Sequence, residues 1–289
     1  MNAAPRPDDA RLRVGVVGAG RVGAVLGAAL RRAGHEVVAT SAVSEASRAR
    51  AAALLPGVPV LAPDEVVAAA DLVLLSVPDD ALPALVQGLV DVGAFRPGQL
   101  VAHTSGRHGL AVLAPAAGTL PLALHPVLPF TGTDVDLERL SGVSFGVTSP
   151  DVLRPIAEAL VIEMGAEPVW VLDELRPLWH AALAHGANHL VTLVTSAADL
   201  LRDAGAENPA AVLGPLLSAA LDGALRSGDA ALTGPVSRGD AGTVAAHLAA
   251  LPDELRPSYL ALARLTADRA LASGRLKAQQ AEPLLGVLQ

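Results

Sequence analysis

The apolar pattern opens with Val14, Val16 and Val17, a block of β-branched positions that suits a strand buried on both faces. Residues 21–32, rich in Ala and Leu, predict a helix that stops at Ala33-Gly34, and residues 35–40 predict a second strand. The alternation then repeats. Residues 44–55 predict a helix closed by Pro56-Gly57, 58–61 a third strand, and Pro63-Asp64-Glu65 the start of a short helix. Residues 71–77 predict a buried strand stopped by Pro78, 79–90 a helix, 99–103 a strand and 120–124 another. Residues 145–148, a helix over 151–164 and a strand over 168–172 complete the alternation. Strands and helices in this order predict an α/β fold with a doubly wound, mostly parallel sheet.

From about Asp173 the pattern becomes helical throughout. A long, mostly apolar helix is predicted over 174–204, ending at Asp203-Ala204-Gly205, followed by helices over 209–225, 240–251, 253–273 and 279–288. The chain therefore divides into an α/β domain, 1–172, and an all-α C-terminal domain, 173–289. The long helix is apolar around more of its circumference than a small domain can bury. That predicts a homodimer built through these helices, with a solvent-excluded bundle in a monomer as the alternative.

Composition narrows the function. A length of 289 residues suffices for two cored domains, and the net charge of −8 argues against nucleic acid or an anionic membrane as partner. The absence of cysteine excludes disulfides, thiolate metal sites and a cysteine nucleophile. Residues 1–13 lack the apolar segment of a signal peptide, and no apolar run reaches membrane-spanning length uninterrupted, so the expected compartment is the cytoplasm. Lys277 is the only lysine among the 21 basic residues, which rules out a general-acid lysine in mid-chain. The eight histidines are the natural substitutes near neutral pH.

Gly18, Gly20 and Gly23 fall at G-x-G-x-x-G spacing between the first strand and the first helix. The first allows a tight turn, the second lets backbone approach a pyrophosphate, and the third lets helix pack on strand. The helix amides from Arg21 and Val22 onward would face the phosphates. A merely structural glycine turn is the competing reading. At the end of the second strand no Asp or Glu stands where a ribose 2′-hydroxyl would be held. Thr40, Ser41 and Ser44, with Arg48 nearby, favour the 2′-phosphate of NADP(H), although Ser44 also suits an N-cap. Ser76-Val77-Pro78 and His103-Thr104-Ser105-Gly106 end later strands, where open α/β sheets bind ligands. Val77, Pro78, His103 and Thr104 join the candidate cofactor set.

The long predicted helix carries His180, His185, Asn188 and His189. At about 100° per residue, His180 and Asn188 lie roughly 80° apart, making a polar strip that could face an interdomain cleft. Each histidine could equally be a satisfied core residue, whereas a buried Asn188 amide would need a partner. The four-residue spacing of His185 and His189 suits zinc, with His180 a candidate third ligand. No Glu stands between them as in H-E-x-x-H and no cysteine assists, so no metal is expected. Arg238, in the polar segment 233–240, suits a carboxylate clamp or a pair with Asp240, which could also simply cap a helix.

Taken together, Gly18-Ala19-Gly20-Arg21-Val22-Gly23, Ser76-Val77-Pro78-Asp79-Asp80, His103-Thr104-Ser105-Gly106, His125-Pro126 with Phe130-Thr131-Gly132, His180 with Asn188, and Gly234-Pro235 with Arg238 and Asp240 resemble one family. It comprises bacterial oxidoreductases that join a Rossmann-like domain to a helical domain of unknown function. Its wider kin are ketopantoate reductase, the 3-hydroxyisobutyrate and 6-phosphogluconate dehydrogenases, and pyrroline-5-carboxylate reductase. The resemblance covers nearly the whole chain. It implies hydride transfer from NADPH to a small carboxylate substrate, a 2-oxo acid such as 2-dehydropantoate. The hydroxyacid dehydrogenases use Lys-x-x-x-Asn on the first long helix; here Asn188 matches the Asn but Ala184 stands in the Lys position. The proton is then expected from His180 or His125, with Asn188 and Ser105 orienting the oxygen and Arg238 holding the carboxylate. An imine reductase of the pyrroline-5-carboxylate type and a catalytically silent NADP-binding sensor or scaffold are the alternatives.

Overall fold

The computed structural model describes residues 11–289, and the sequence-based reading of 1–10 lies outside them. Two compact units divide at Leu190/Val191.

The first unit is a seven-stranded sheet wrapped by helices. Its elements run β1 (Arg13–Val17), α1 (Arg21–Arg32), β2 (Glu36–Ser41), α2 (Glu45–Leu54), α3 (Pro63–Ala69), β3 (Leu72–Leu75), α4 (Leu82–Asp91), β4 (Leu100–His103), β5 (Leu120–Pro126), α5 (Val135–Arg139), β6 (Ser144–Thr148), α6 (Arg154–Glu163), β7 (Glu167–Trp170) and α7 (Arg176–Leu183). The strand order is β2-β1-β3-β4-β5-β6-β7. All neighbours are parallel except β5 and β6. Side chains alternate across the sheet, as the two-residue period of a strand requires. Val14, Val16, Leu72, Leu74 and Ala102 pack with Leu26 and Leu30 of α1 and Leu160 and Val161 of α6. Val17, Val73, Leu75 and Val101 pack with Val66 and Val67 of α3 and Val86 and Leu89 of α4. The register aligns Val17, Leu75 and His103. The carboxyl ends of β1, β3 and β4 therefore finish side by side, and the glycine loop and both polar strand-end segments share one edge.

Two predicted elements take a different form. Residues 58–61 make no strand: Thr40 and Val60 form a single bridge, and Pro59, which has no N–H to donate, stops the ladder from extending. The long helix predicted from 174 starts instead at Arg176, after a 3₁₀ turn over Asp173–Leu175. It is interrupted by a π-turn at Ala184–Asn188 before α8 (His189–Asp203). Gly186 gives this turn little intrinsic helix preference, and the wider turn resets the angular phase beyond it. The regular-helix spacing between His180 and Asn188 accordingly does not hold.

The second unit contains most of α8, then α9 (Pro209–Ser227), α10 (Pro235–Arg238), α11 (Ala241–Ala250), α12 (Arg256–Ala272) and α13 (Ala278–Val287). Its core is small-residue packing: Ala263, Ala267 and Ala270 of α12 meet Val236, Val244, Leu276 and Leu284. Helix α8 buries no residue, and α9 buries only Pro209 and Leu213.

Candidate active site

The glycine loop is built as its spacing requires. Gly18 has φ +98°, and a side chain there would overlap the Ser76 carbonyl oxygen. A side chain at Gly23 would overlap the Gly18 carbonyl, which is why α1 can lie so close to β1. At Gly20 nothing lies within 4 Å of where a Cβ would stand. Gly20 also N-caps α1 without any side-chain hydrogen bond, so the first-turn amides of Arg21, Val22 and Gly23 face outward uncapped by side chains. An open cradle beneath an uncapped twelve-residue helix fits the pyrophosphate of a dinucleotide. Val77 flanks the same loop, its Cγ1 3.2 Å from a Cβ at Gly18, and Pro78 follows it exposed at the rim.

The hydroxyls at the end of β2 are committed elsewhere. Ser41, expected to hold a 2′-phosphate, is 5% exposed and lies under the loop. Its Oγ accepts the Gly18 N–H at 3.0 Å, and its carbonyl accepts the Ala19 N–H at 2.8 Å. Thr40 donates to the Val16 carbonyl at 3.0 Å. Ser44 caps α2 by accepting the Ser47 N–H at 3.1 Å, and Arg48 bonds the Val43 carbonyl. Of this group Ser44 alone remains exposed as a hydroxyl. Sequence reasoning missed Arg50: a Cβ at Gly132 would stand 2.8 Å from both the Arg21 Cγ and the Arg50 Nε. Those two cations therefore converge on the loop after β5.

The segment following β4 is pinned on several sides. Thr104 donates to Ser76 Oγ at 3.3 Å, Arg107 pairs with Asp80 at 2.5 Å, and His108 bonds the Asp79 carbonyl at 3.0 Å. Asp173 accepts the Leu110 N–H at 2.7 Å. His103 and Ser105, expected at the nicotinamide end and at the substrate oxygen, instead serve this segment internally. His103 is 0% exposed; its Nδ1 accepts the Ser105 N–H at 3.2 Å and its Nε2 bonds the Gly109 carbonyl at 3.2 Å. Both ring nitrogens are thus spent on backbone. Burial, reinforced by the Arg176 charge, lowers its pKa to about 3. Ser105 is buried too, its Oγ accepting the His108 N–H at 3.1 Å.

The two histidines expected to carry chemistry do come together. His125, at the end of β5, and His180, on α7, stack edge to face with ring centroids 5.7 Å apart. Both are partly exposed. A Cβ on Gly106 would lie 2.6 Å from the His180 Cδ2 and 2.8 Å from the His125 Nε2. Only glycine there lets both rings approach the backbone. Trp179 Nε1 donates to His125 Nδ1 at 3.3 Å, which leaves the neutral ring's proton on Nε2. Burial, then the charge of Arg176, lowers the His125 pKa to about 4. Arg176 is 0% exposed and was not singled out in the sequence, where an arginine before Pro177 reads as an ordinary surface cation.

Asn188 stands exposed at the end of the π-turn, where its amide has water for a partner and needs none from the core. His185 and His189 are exposed, their Nδ1 atoms 3.1 Å apart. Among the described residues no group of three His, Cys, Asp or Glu is placed to hold a metal. Arg238 lies exposed on the short helix α10 of the second unit, and Asp240 caps α11 by accepting from Thr243 N at 3.1 Å and Oγ1 at 2.7 Å. Those bonds, the side-chain one first, hold the Asp240 carboxyl below its usual range. No helix among the described residues is long and apolar enough to cross a membrane.

Comparison with known proteins agrees with this organisation. Residues 2–126 match the model of a Rossmann-like domain, and residues 143–266 match that of a domain of unknown function, DUF2520. No curated protein matches by sequence. Among solved structures, a candidate NADP oxidoreductase from Bacteroides fragilis is similar at TM-score 0.74 and 23% identity, over 89% of this chain and 98% of that one. A Thermotoga maritima protein gives TM-score 0.64 at 18% identity, over 90% and 99%. The NADP-bound pyrroline carboxylate reductase of Plasmodium falciparum gives 0.57 at 10%, over 91% and 97%. At these identities the likeness concerns the fold. The chain thus carries, in this order, a match to a Rossmann-like domain and a match to this domain of unknown function.

Proposed function

We propose that the chain is an NADP-dependent oxidoreductase that reduces a small carboxylate substrate. The observation that carries this reading is the pairing of an open, uncapped glycine cradle at Gly20 with two adjacent imidazoles, His125 and His180, in the same unit. The neighbours described as an NADP oxidoreductase and as an NADP-bound reductase support it by analogy of fold. Gly18, Gly20, Arg21, Val22 and Gly23 would hold the pyrophosphate, with Val77, Pro78 and Thr104 along the nicotinamide half. NADP over NAD is favoured because no acid ends β2 and cations do converge nearby: Arg21 and Arg50 at the Gly132 loop.

The bound dihydronicotinamide would supply a hydride. The protein's share is to orient the acceptor, exclude water and deliver a proton to the oxygen left behind. His125 presents an Nε2–H as a hydrogen-bond donor, and His180 beside it is the residue to supply the proton. Asn188 is the proposed second orienting group and Arg238 the proposed carboxylate partner. The leading substrate is a 2-oxo acid, with 2-dehydropantoate first among them. A cyclic imine is the second reading. It is favoured by similarity to pyrroline carboxylate reductases from Plasmodium falciparum and Streptococcus pyogenes, and by the fact that a protonated imine needs no acid from the protein. We assign the working form as a homodimer in the cytoplasm.

NADPH oxidation measured against panels of 2-oxo acids and cyclic imines separates the two readings. With the correct substrate, His180→Ala should lower kcat by ~10²–10⁴-fold. Turnover unchanged in both His125→Ala and His180→Ala would remove the mechanism. Tight NADPH binding with no turnover on any panel would favour a sensor or scaffold.

A further inference from the structure

The guanidinium of Arg176 is fully buried, and among the described residues its hydrogen bonds go to uncharged acceptors. Nη2 donates to the Ser105 carbonyl at 2.6 Å, and Nη1 to Thr148 Oγ1 at 3.0 Å and the Gly146 carbonyl at 3.3 Å. Nε is buried without a partner. Among the described residues no carboxylate forms an ion pair with it, although Asp173 and Asp79 act on it at longer range. A buried cation held this way costs several kcal/mol of desolvation in general, so its retention calls for a function. Its position supplies one. Arg176 grips Ser105, the residue before Gly106, and Gly106 is the backbone against which the His125 and His180 rings lie. Through Gly146 and Thr148 it also grips β6, which pairs with β5 at His125↔Gly146.

We propose that Arg176 is a positioning residue of this site, a fixed interior cation that keeps His125 in its neutral Nε2–H form so that the ring meets a ligand as a hydrogen-bond donor and never as an imidazolium. Two independent features point the same way. The Trp179 bond needs a bare Nδ1, so protonating His125 would break it. The titratable and charged groups facing His125 are Arg176 and His180 from α7, His103 from β4 and Asp79 from the loop after β3; Asp79 alone favours the charged ring. Burial first, and the Arg176 charge second, lower the His125 pKa to about 4, in the direction this arrangement requires. The catalytic consequence rests on the reductase reading: His125 polarises the acceptor and His180 moves the proton. The electrostatic claim does not depend on it.

The test needs no substrate. In nitrogen NMR of the full chain, with the His125 signals assigned by their loss in His125→Asn, wild-type His125 should stay an Nε2–H tautomer down to about pH 5. In Arg176→Met its titration should rise by about one pH unit or more, because one unit is a tenfold change in protonation equilibrium. Arg176→Lys, which keeps the charge but loses the planar fork, should leave the titration near the wild-type position. Wild-type His125 titrating at the ordinary histidine position would overturn the proposal even if Arg176→Met failed to fold. An unmoved midpoint in a folded Arg176→Met would overturn it too, as would Arg176→Lys shifting as far as Arg176→Met. Loss of activity on every substrate panel with these titrations as expected would sink the reductase reading and leave this one standing.

Discussion

Gly106 shows how little room the site allows at a single position. A methyl group there would meet His180 at 2.6 Å and His125 at 2.8 Å, so one ring must turn away. Gly106→Ala should therefore lower kcat by about 10²-fold, the scale of a 1 Å misplacement, while the melting temperature moves little. Unchanged turnover would separate these rings from the chemistry. His103 contributes to stability and not to a ligand. Its folded pKa of about 3 lies below the ordinary 6.5, so the unfolded chain binds the extra proton first. The stabilisation is complete above pH 6.5 and erodes as pH falls towards 3, by about 1.4 kcal/mol per unit for this group. His125, at about 4, adds to the loss with the same sign. Urea midpoints should fall from pH 6.5 to 5, where ordinary carboxylates barely titrate, and a flat profile there would contradict the buried neutral rings. At this scale the sequence announced residue types but not their directions. His103 and Ser105 sit at a strand end in the expected place, yet their polar atoms turn inward to close a tight segment. Arg176 was illegible because burial of a helix-start arginine depends on acceptors from far along the chain, the Gly146 carbonyl and Thr148 hydroxyl of β6 and the Ser105 carbonyl after β4.

At the scale of elements, the strand–glycine–helix unit was the most legible part of the chain because each signal is local. The valine block, the three glycines and the Ala33-Gly34 stop lie within two dozen residues and agree with one another. Gly23→Ala should then break the α1–β1 contact, costing about 1–3 kcal/mol by overpacking and abolishing NADPH binding. A variant binding NADPH with wild-type affinity would show that the loop is not the cradle. The strand expected over 58–61 failed where Pro59 interrupted a weak signal. The π-turn at Ala184–Asn188 was hidden because a period of 3.6 residues is assumed in any helical reading. Its wider turn leaves Asn188 exposed, and so the face that carries Asn188 could not be inferred from spacing.

For the whole molecule, two long helices, α8 and α9, leave large apolar side chains in the open. Val191 is 64% exposed, Leu216 64% and Leu225 80%, on helices whose own unit buries almost nothing of them. Exposure on this scale suits a second copy of the chain, the homodimer expected from the long apolar helix. Leu216→Glu with Leu225→Glu should convert a dimeric mass to a monomeric one in light scattering, and a wild-type chain already monomeric at micromolar concentration would refute that assembly. Neither composition nor pattern names the substrate, because the polar groups that would select it are few and come from separate segments of chain.

The central claim is that the Gly18–Gly23 loop cradles a phosphorylated nicotinamide dinucleotide, and calorimetric titration with NADPH and with NADH tests it most directly. The account predicts saturable NADPH binding with a Kd on the order of micromolar and at least about tenfold weaker binding of NADH. No heat from either nucleotide at millimolar concentration would contradict it.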